Sequence, residues 1–141
     1  MRTATELVAE MYECFNRNDM ATIKSEVFHK DLVWSLPGHN PLAGIKYGAD
    51  EVIAFFSQLV KSGIKVDLVK LDVFGDDGAI EVHRGYGTFE GKSLDAVNCT
   101  YYKIKDERIQ DVMVFMGDQH AADAYFTAVY HLKPIPARLA D

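Results

Sequence analysis

The chain's 141 residues and 15.8 kDa match the usual size of one compact domain, so residues 1–141 are read as a single domain. Hydrophobic residues make up 48% and charged residues 26%, which excludes disorder, collagen-like repeats and a coiled coil. With 15 basic against 21 acidic residues the formal net charge is -6, a field that repels phosphate backbones, so no nucleic-acid partner is expected.

Thr3 with Glu6 three residues on has the form of a capping box, and Leu7, Met11, Cys14 and Phe15 follow at helical spacing, predicting a first helix to about Arg17. Asp19 can cap a short second helix with Met20, Ile23 and Val27 on one face, ending before Asp31. Leu32, Trp34 and Leu36 then alternate as a strand. Pro37 to Gly44 holds two prolines and two glycines, which predicts an irregular loop. From Asp50, read as a cap, Val52, Phe55, Phe56, Leu59 and Val60 form a broad helical stripe that Gly63 stops.

The second half changes period from 3.6 to 2. Residues 64–74, 79–89, 93–105 and 108–116 read as strands separated by hairpin-length turns, so an antiparallel meander is expected with the helices on one of its faces. Asp118 opens a last helix with Ala121, Ala122, Tyr125, Phe126 and Val129 inward, and Pro134 and Pro136 should end regular structure.

Several chemistries find no motif. Gly85-Tyr86-Gly87 lies within a strand and lacks the helix that a dinucleotide fingerprint needs, and no serine sits in a nucleophile elbow. The five histidines show no helical pair bracketing a glutamate, and Cys14 and Cys99 lack knuckle spacing and read as small buried apolar residues, so no metal and no cofactor are expected. Met1 to Glu6 lacks a secretory pattern, and no apolar run reaches the roughly 18 residues of a span, so a cytoplasmic location without a membrane partner is the expectation.

The residues Asp31-Leu32-Val33-Trp34-Ser35-Leu36-Pro37-Gly38, then Pro41-Leu42-Ala43-Gly44, the stretch Gly48 to Phe56, the turn Lys105 to Ile109 and Gly117 to Asp123 carry a resemblance over nearly the whole chain. They resemble the SnoaL-like branch of the nuclear transport factor 2-like superfamily. That resemblance implies an α+β fold, a curved antiparallel sheet wrapped around helices to form a cone with an internal cavity. As a signal of function it is broad, since isomerases, polyketide cyclases, dehydratases, epoxide hydrolases and non-catalytic binders share this cone; with the motifs above absent, cofactor-free acid/base work or simple binding is what remains. Steroid isomerases of the fold place a tyrosine on the first helix, a basic aspartate before the Pro-x-Gly loop and a protonated aspartate on a late strand. Met11, Leu36 and Thr100 stand there in this chain, with Tyr12 one residue from the first, so that chemistry by those residues is disfavoured. The cyclases keep an acid/base aspartate where the last strand ends; here Gly117 takes that place and Asp118 follows it.

On this footing Asp118 and His39 are the candidate catalytic pair. Asp118 also suits a helix cap, and the helix start would favour its carboxylate as a base. His39 sits on a rigid Pro/Gly loop and titrates near neutrality. Trp34, His83, Asn98 and Tyr102 are candidate substrate-binding residues, each with a plain structural reading beside it: Trp34 as core, His83 as a solvated strand residue, Asn98 as a partner of Arg84. Ile80, Val82, Arg84 and Tyr86 oppose Glu81, His83, Gly85 and Gly87, and periodicity leaves open which set faces inward. The expected function is cyclisation, isomerisation or dehydration of an apolar cyclic or polyketide-like small molecule by a lyase or isomerase. The alternative is a non-catalytic ligand-binding or oligomerising module. Apolar residues on both parities of the late strands make a homodimer the expected assembly.

Overall fold

The computed structural model describes residues 1–130 and 136. Helix α1 spans Ala4–Asn16 and starts as its capping box predicts, with the Thr3 hydroxyl accepting the Glu6 backbone N–H at 3.3 Å. Leu7, Val8, Met11, Tyr12 and Cys14 are buried along its stripe. Asp19 accepts the Thr22 N–H at 3.1 Å and caps α2, Met20–Thr22, which runs on as a π-helical stretch, Ile23–Val27. Strand β1, Phe28–Leu36, follows immediately, before the alternating set Leu32, Trp34 and Leu36 begins. Its register shifts between Phe28 and Val33, where the Asp31 N–H turns to His29 Nδ1 at 2.9 Å, and this irregularity hides the strand's start from periodicity.

Pro37 to Ala43 is irregular, but Gly44–Tyr47 forms strand β2, paired antiparallel with β1. It is short and mostly exposed, so no alternation marked it. Helix α3, Gly48–Lys61, buries Val52, Phe55 and Phe56. Asp50 lies within its first turn and is not its cap; Glu51 Oε1 reaches back to the Tyr47 N–H at 2.9 Å instead. Val60, expected on the buried stripe, is 46% exposed.

Strands β3 (Ile64–Val73), β4 (Gly78–Phe89), β5 (Lys92–Lys105) and β6 (Arg108–Met116) form the expected antiparallel meander. The six-stranded sheet has the order β2-β1-β6-β5-β4-β3, and β1 joins β6 in parallel. That pairing is possible because β2, α3 and three strands separate the two along the chain, far more than a parallel crossover requires. The sheet is curved and unclosed, and α1, α3 and α4 (Gln119–Val129) pack into its concave face. On α4, Ala122, Tyr125 and Phe126 are buried, while Ala121 and Val129 are half-buried. Where β4 runs under the α3–β3 turn, a Cβ on Gly87 would lie 2.2 Å from the Gly63 carbonyl oxygen, so only glycine lets these segments meet.

Cys14 is buried in the core, but Cys99 is half-buried on β5. The expected stop at Pro134 lies outside the described residues. Among the described residues no helix is long and apolar enough to cross a membrane.

Candidate functional site

The β4–β5 register resolves the inward face of the late strands. Ala79 lies opposite Tyr102, Glu81 opposite Thr100, His83 opposite Asn98 and Gly85 opposite Ala96. Side chains at directly paired positions project to one face, here toward the helices, so Ile80, Val82, Arg84 and Tyr86 face outward.

At the centre of the inward face stands Glu81, 1% exposed. A buried carboxylate is costly unless hydrogen-bonded, and this one has several partners. The Tyr12 hydroxyl from α1 donates to Oε1 at 2.9 Å and the Tyr102 hydroxyl from β5 at 3.1 Å. His83 Nδ1 lies 3.0 Å from both carboxylate oxygens. Burial pushes both tyrosine hydroxyls well above their ordinary value of 10.0, and the adjacent Glu81 charge pushes them further. They therefore stay protonated and serve as donors.

The far nitrogen of the imidazole is fixed by Asn98. The Gly117 backbone N–H donates to Asn98 Oδ1 at 3.2 Å, which turns Nδ2 toward His83 Nε2 at 3.3 Å. An amide nitrogen only donates, so Nε2 is the accepting nitrogen and the proton resides on Nδ1, directed at Glu81. A carboxylate thus holds a histidine in one tautomer with its bare nitrogen turned away, an arrangement of the kind used in acid/base triads.

His83 and Asn98 belong to the wall of a cavity of about 100 Å³ between the sheet and α1, α3 and α4. Glu81 stands behind that wall. The remaining lining is apolar or aromatic apart from Thr100, with Met11, Tyr12, Trp34, Phe55, Phe56 and Phe126 among its members. Trp34 packs edge-on against Phe56, with centroids 5.2 Å apart, and against Tyr102 at 6.2 Å. Its indole Nε1 is buried without a hydrogen-bond partner.

Trp34, His83, Asn98 and Tyr102 are thus brought together on the cavity wall. Asp118 and His39 are not among the lining residues; both are exposed. Asp118 Oδ1 accepts the Ala121 N–H at 3.0 Å as the cap of α4. The Pro/Gly loop does meet α4, but through Asp123, which accepts the His39 backbone N–H at 3.0 Å, Asn40 Nδ2 at 2.8 Å and Gln119 Nε2 at 2.9 Å. The bond from Asn40 leads in holding the Asp123 carboxyl below its ordinary value, with the His39 N–H and Gln119 adding to it. The loop is therefore anchored by the His39 backbone and the Asn40 side chain, and the His39 imidazole makes no hydrogen bond to Asp123. Asn98 bonds His83 and Gly117, while Arg84 pairs outward with Asp95 at 2.7 Å.

Glu81 and Tyr12 carry the network and were not candidates from the sequence. Glu81 shares its strand parity with His83, so an acidic residue two positions from an inward histidine was the available signal. Tyr12 was visible only as the neighbour of the family's tyrosine position. Among the described residues no three His, Cys, Asp or Glu side chains gather as a metal-ligand set.

Residues 8–112 match the SnoaL-like domain family. The chain belongs to that family. An uncharacterized protein of Mycobacterium tuberculosis is 27% identical over 124 residues, 86% of this SnoaL-like chain and 94% of the relative. Bal32a from a soil-derived mobile gene cassette is 28% identical with a TM-score of 0.82, covering 86% of this chain and 94% of Bal32a. TerC, co-crystallized with polyporic acid, has the same fold at 17% identity and a TM-score of 0.73, over 87% of this chain and 96% of TerC. Solved proteins described as having a cystatin-like fold, or as nuclear transport factor 2-like, share this fold at 19% and 20% identity with TM-scores of 0.79 and 0.76.

Proposed function

We propose that this protein is a cofactor-free acid/base enzyme acting on an apolar, cyclic small molecule held in the cone, with His83 as the proton-transferring group. The observation that carries the reading is the Glu81–His83 pair, with Glu81 buried, His83 on the wall of a largely apolar cavity and Nδ1 held 3.0 Å from the carboxylate. A substrate proton displaces the long Asn98 contact and passes to Nε2. The imidazolium so formed stays paired with Glu81 through Nδ1–H, exchanges its Nε2 proton with solvent, and gives a proton back to the substrate or to its leaving oxygen. Isomerisation, cyclisation and dehydration all consist of such transfers. They move no net electrons, so the scheme requires no cofactor. Tyr12 and Tyr102 position the carboxylate, and Trp34, Tyr102 and the phenylalanines shape the ligand. That TerC, of the same fold, was co-crystallized with polyporic acid supports a small organic ligand in the cone.

The assay is incorporation of solvent deuterium into a panel of one-ring ketones, followed by NMR. Exchange above the buffer rate is the expected result. Binding without exchange across the panel would favour the non-catalytic module, a reading the largely apolar lining supports.

We also infer that the outer sheet face pairs two copies of the chain. Val97, Met113 and Phe115 stand 55%, 48% and 51% exposed on adjacent strands, a patch of the kind that marks an interface. Sedimentation should show a dimer at micromolar concentration, converted to monomer by Phe115→Lys. A wild-type monomer would remove the inference.

A further inference from the structure

The indole N–H of Trp34 is the one buried side-chain polar atom left without a hydrogen-bond partner among the described residues. Trp34 is 5% exposed, and its ring is fixed by aromatic neighbours on several sides. Such a donor costs about 1–3 kcal/mol when nothing accepts from it, and an apolar residue of similar shape would avoid that cost. Trp34 also lines the cavity, so a molecule bound there can supply the acceptor that this donor lacks.

We propose that Trp34 Nε1 anchors an acceptor oxygen, a carbonyl or hydroxyl, on a one-ring ligand whose other side faces His83 and Asn98. The size limit follows from the volume. An apolar cavity of about 150 Å³ takes a benzene ring, and this one holds about 100 Å³, so a single six-membered ring is the largest body it can enclose, and only with some movement of the wall. The polarity limit follows from the lining: His83 with Asn98 is one polar point, Thr100 a second and Trp34 a third, while the Tyr12 and Tyr102 hydroxyls are already given to Glu81. A fused polycycle would protrude from this volume, and a pure hydrocarbon leaves Nε1 stranded. The inference rests on the cavity being the ligand site and names the ligand class that site accepts.

Cyclohexanone and methylenecyclohexane test it, because they share a shape and differ in the acceptor oxygen. Trp34 is the sole tryptophan, so its indole N–H gives a single side-chain resonance. Titration of the whole protein with cyclohexanone should move that resonance downfield, as a new hydrogen bond does, and methylenecyclohexane should not. In Trp34→Phe the affinity ratio of ketone to hydrocarbon should fall about fivefold to tenfold, the value of one hydrogen bond. An indole resonance that the ketone leaves in place, a ratio unchanged within about twofold, or failure of both probes to bind would each overturn the proposal. If Trp34→Phe does not fold, the wild-type titration decides alone. Deuterium exchange without an indole shift would keep His83 as the proton-transfer group and remove the anchor; a shift without exchange would keep the anchor and remove the catalysis.

Discussion

Replacing Glu81 by Ala is expected to cost about 3–5 kcal/mol of stability, the largest single effect in the molecule, read as a lower urea midpoint at unchanged slope. The side chain is completely enclosed, and three donors converge on it: the Tyr12 and Tyr102 hydroxyls and His83 Nδ1. Alanine strands all three in a space that water does not fill freely, and each unmet buried donor costs about 1–3 kcal/mol, less than additively because they share one site. Glu81→Gln keeps the volume and one acceptor but turns an N–H toward groups that donate, so a smaller loss of about 1–3 kcal/mol is expected. Asp118→Ala offers the contrast. It removes one exposed helix cap, worth about 1 kcal/mol. Because total stability is only about 5–15 kcal/mol, the Glu81 variant should be close to unfolding at moderate temperature. A Glu81→Ala protein within about 1 kcal/mol of wild type would show that the network is not the structural centre described above.

His83→Gln should reduce the rate of deuterium exchange on a responsive ketone by about 10²–10⁴, the usual contribution of one positioned acid/base group. Glutamine can still donate toward Glu81 and stay near Asn98, so the wall is preserved and the loss is chemical. Asp118→Asn should leave the rate unchanged, since asparagine also caps a helix and the residue is exposed outside the cavity. The two variants therefore separate the sites. Activity retained in His83→Gln and lost in Asp118→Asn would return the chemistry to the strand end that the resemblance to cyclases suggested.

Much of the fold was legible because local signals agreed with the tertiary structure. Thr3 and Asp19 cap as their spacing predicts, and the meander's turns fall where the hairpin-length spacers stand. The exceptions are places where local pattern is silent. The bulged start of β1 breaks alternation, and the exposed β2 never shows it. The site was legible in part for the same reason. Trp34, His83, Asn98 and Tyr102 stood out as polar or aromatic residues inside apolar runs, whereas choosing between Glu81 and Arg84 as the buried charge needed the strand's parity. That parity is set by long-range pairing, which no window of sequence contains. Tyr12 reaches Glu81 across 69 positions, so only the packing of α1 on β4 reveals their bond. Asp118 could be read two ways because one residue type at one helix start serves equally as cap or base; in the fold it caps α4 and is exposed.

The most direct measurement is the tautomer of the neutral His83 ring, read from the nitrogen chemical shifts and long-range proton–nitrogen couplings of its imidazole. The account predicts a protonated Nδ1 facing Glu81 and a bare Nε2 on the cavity side, with Nε2 the nitrogen perturbed when a ketone binds. A neutral ring protonated at Nε2 would contradict it, because the nitrogen that must receive the substrate proton would already carry one.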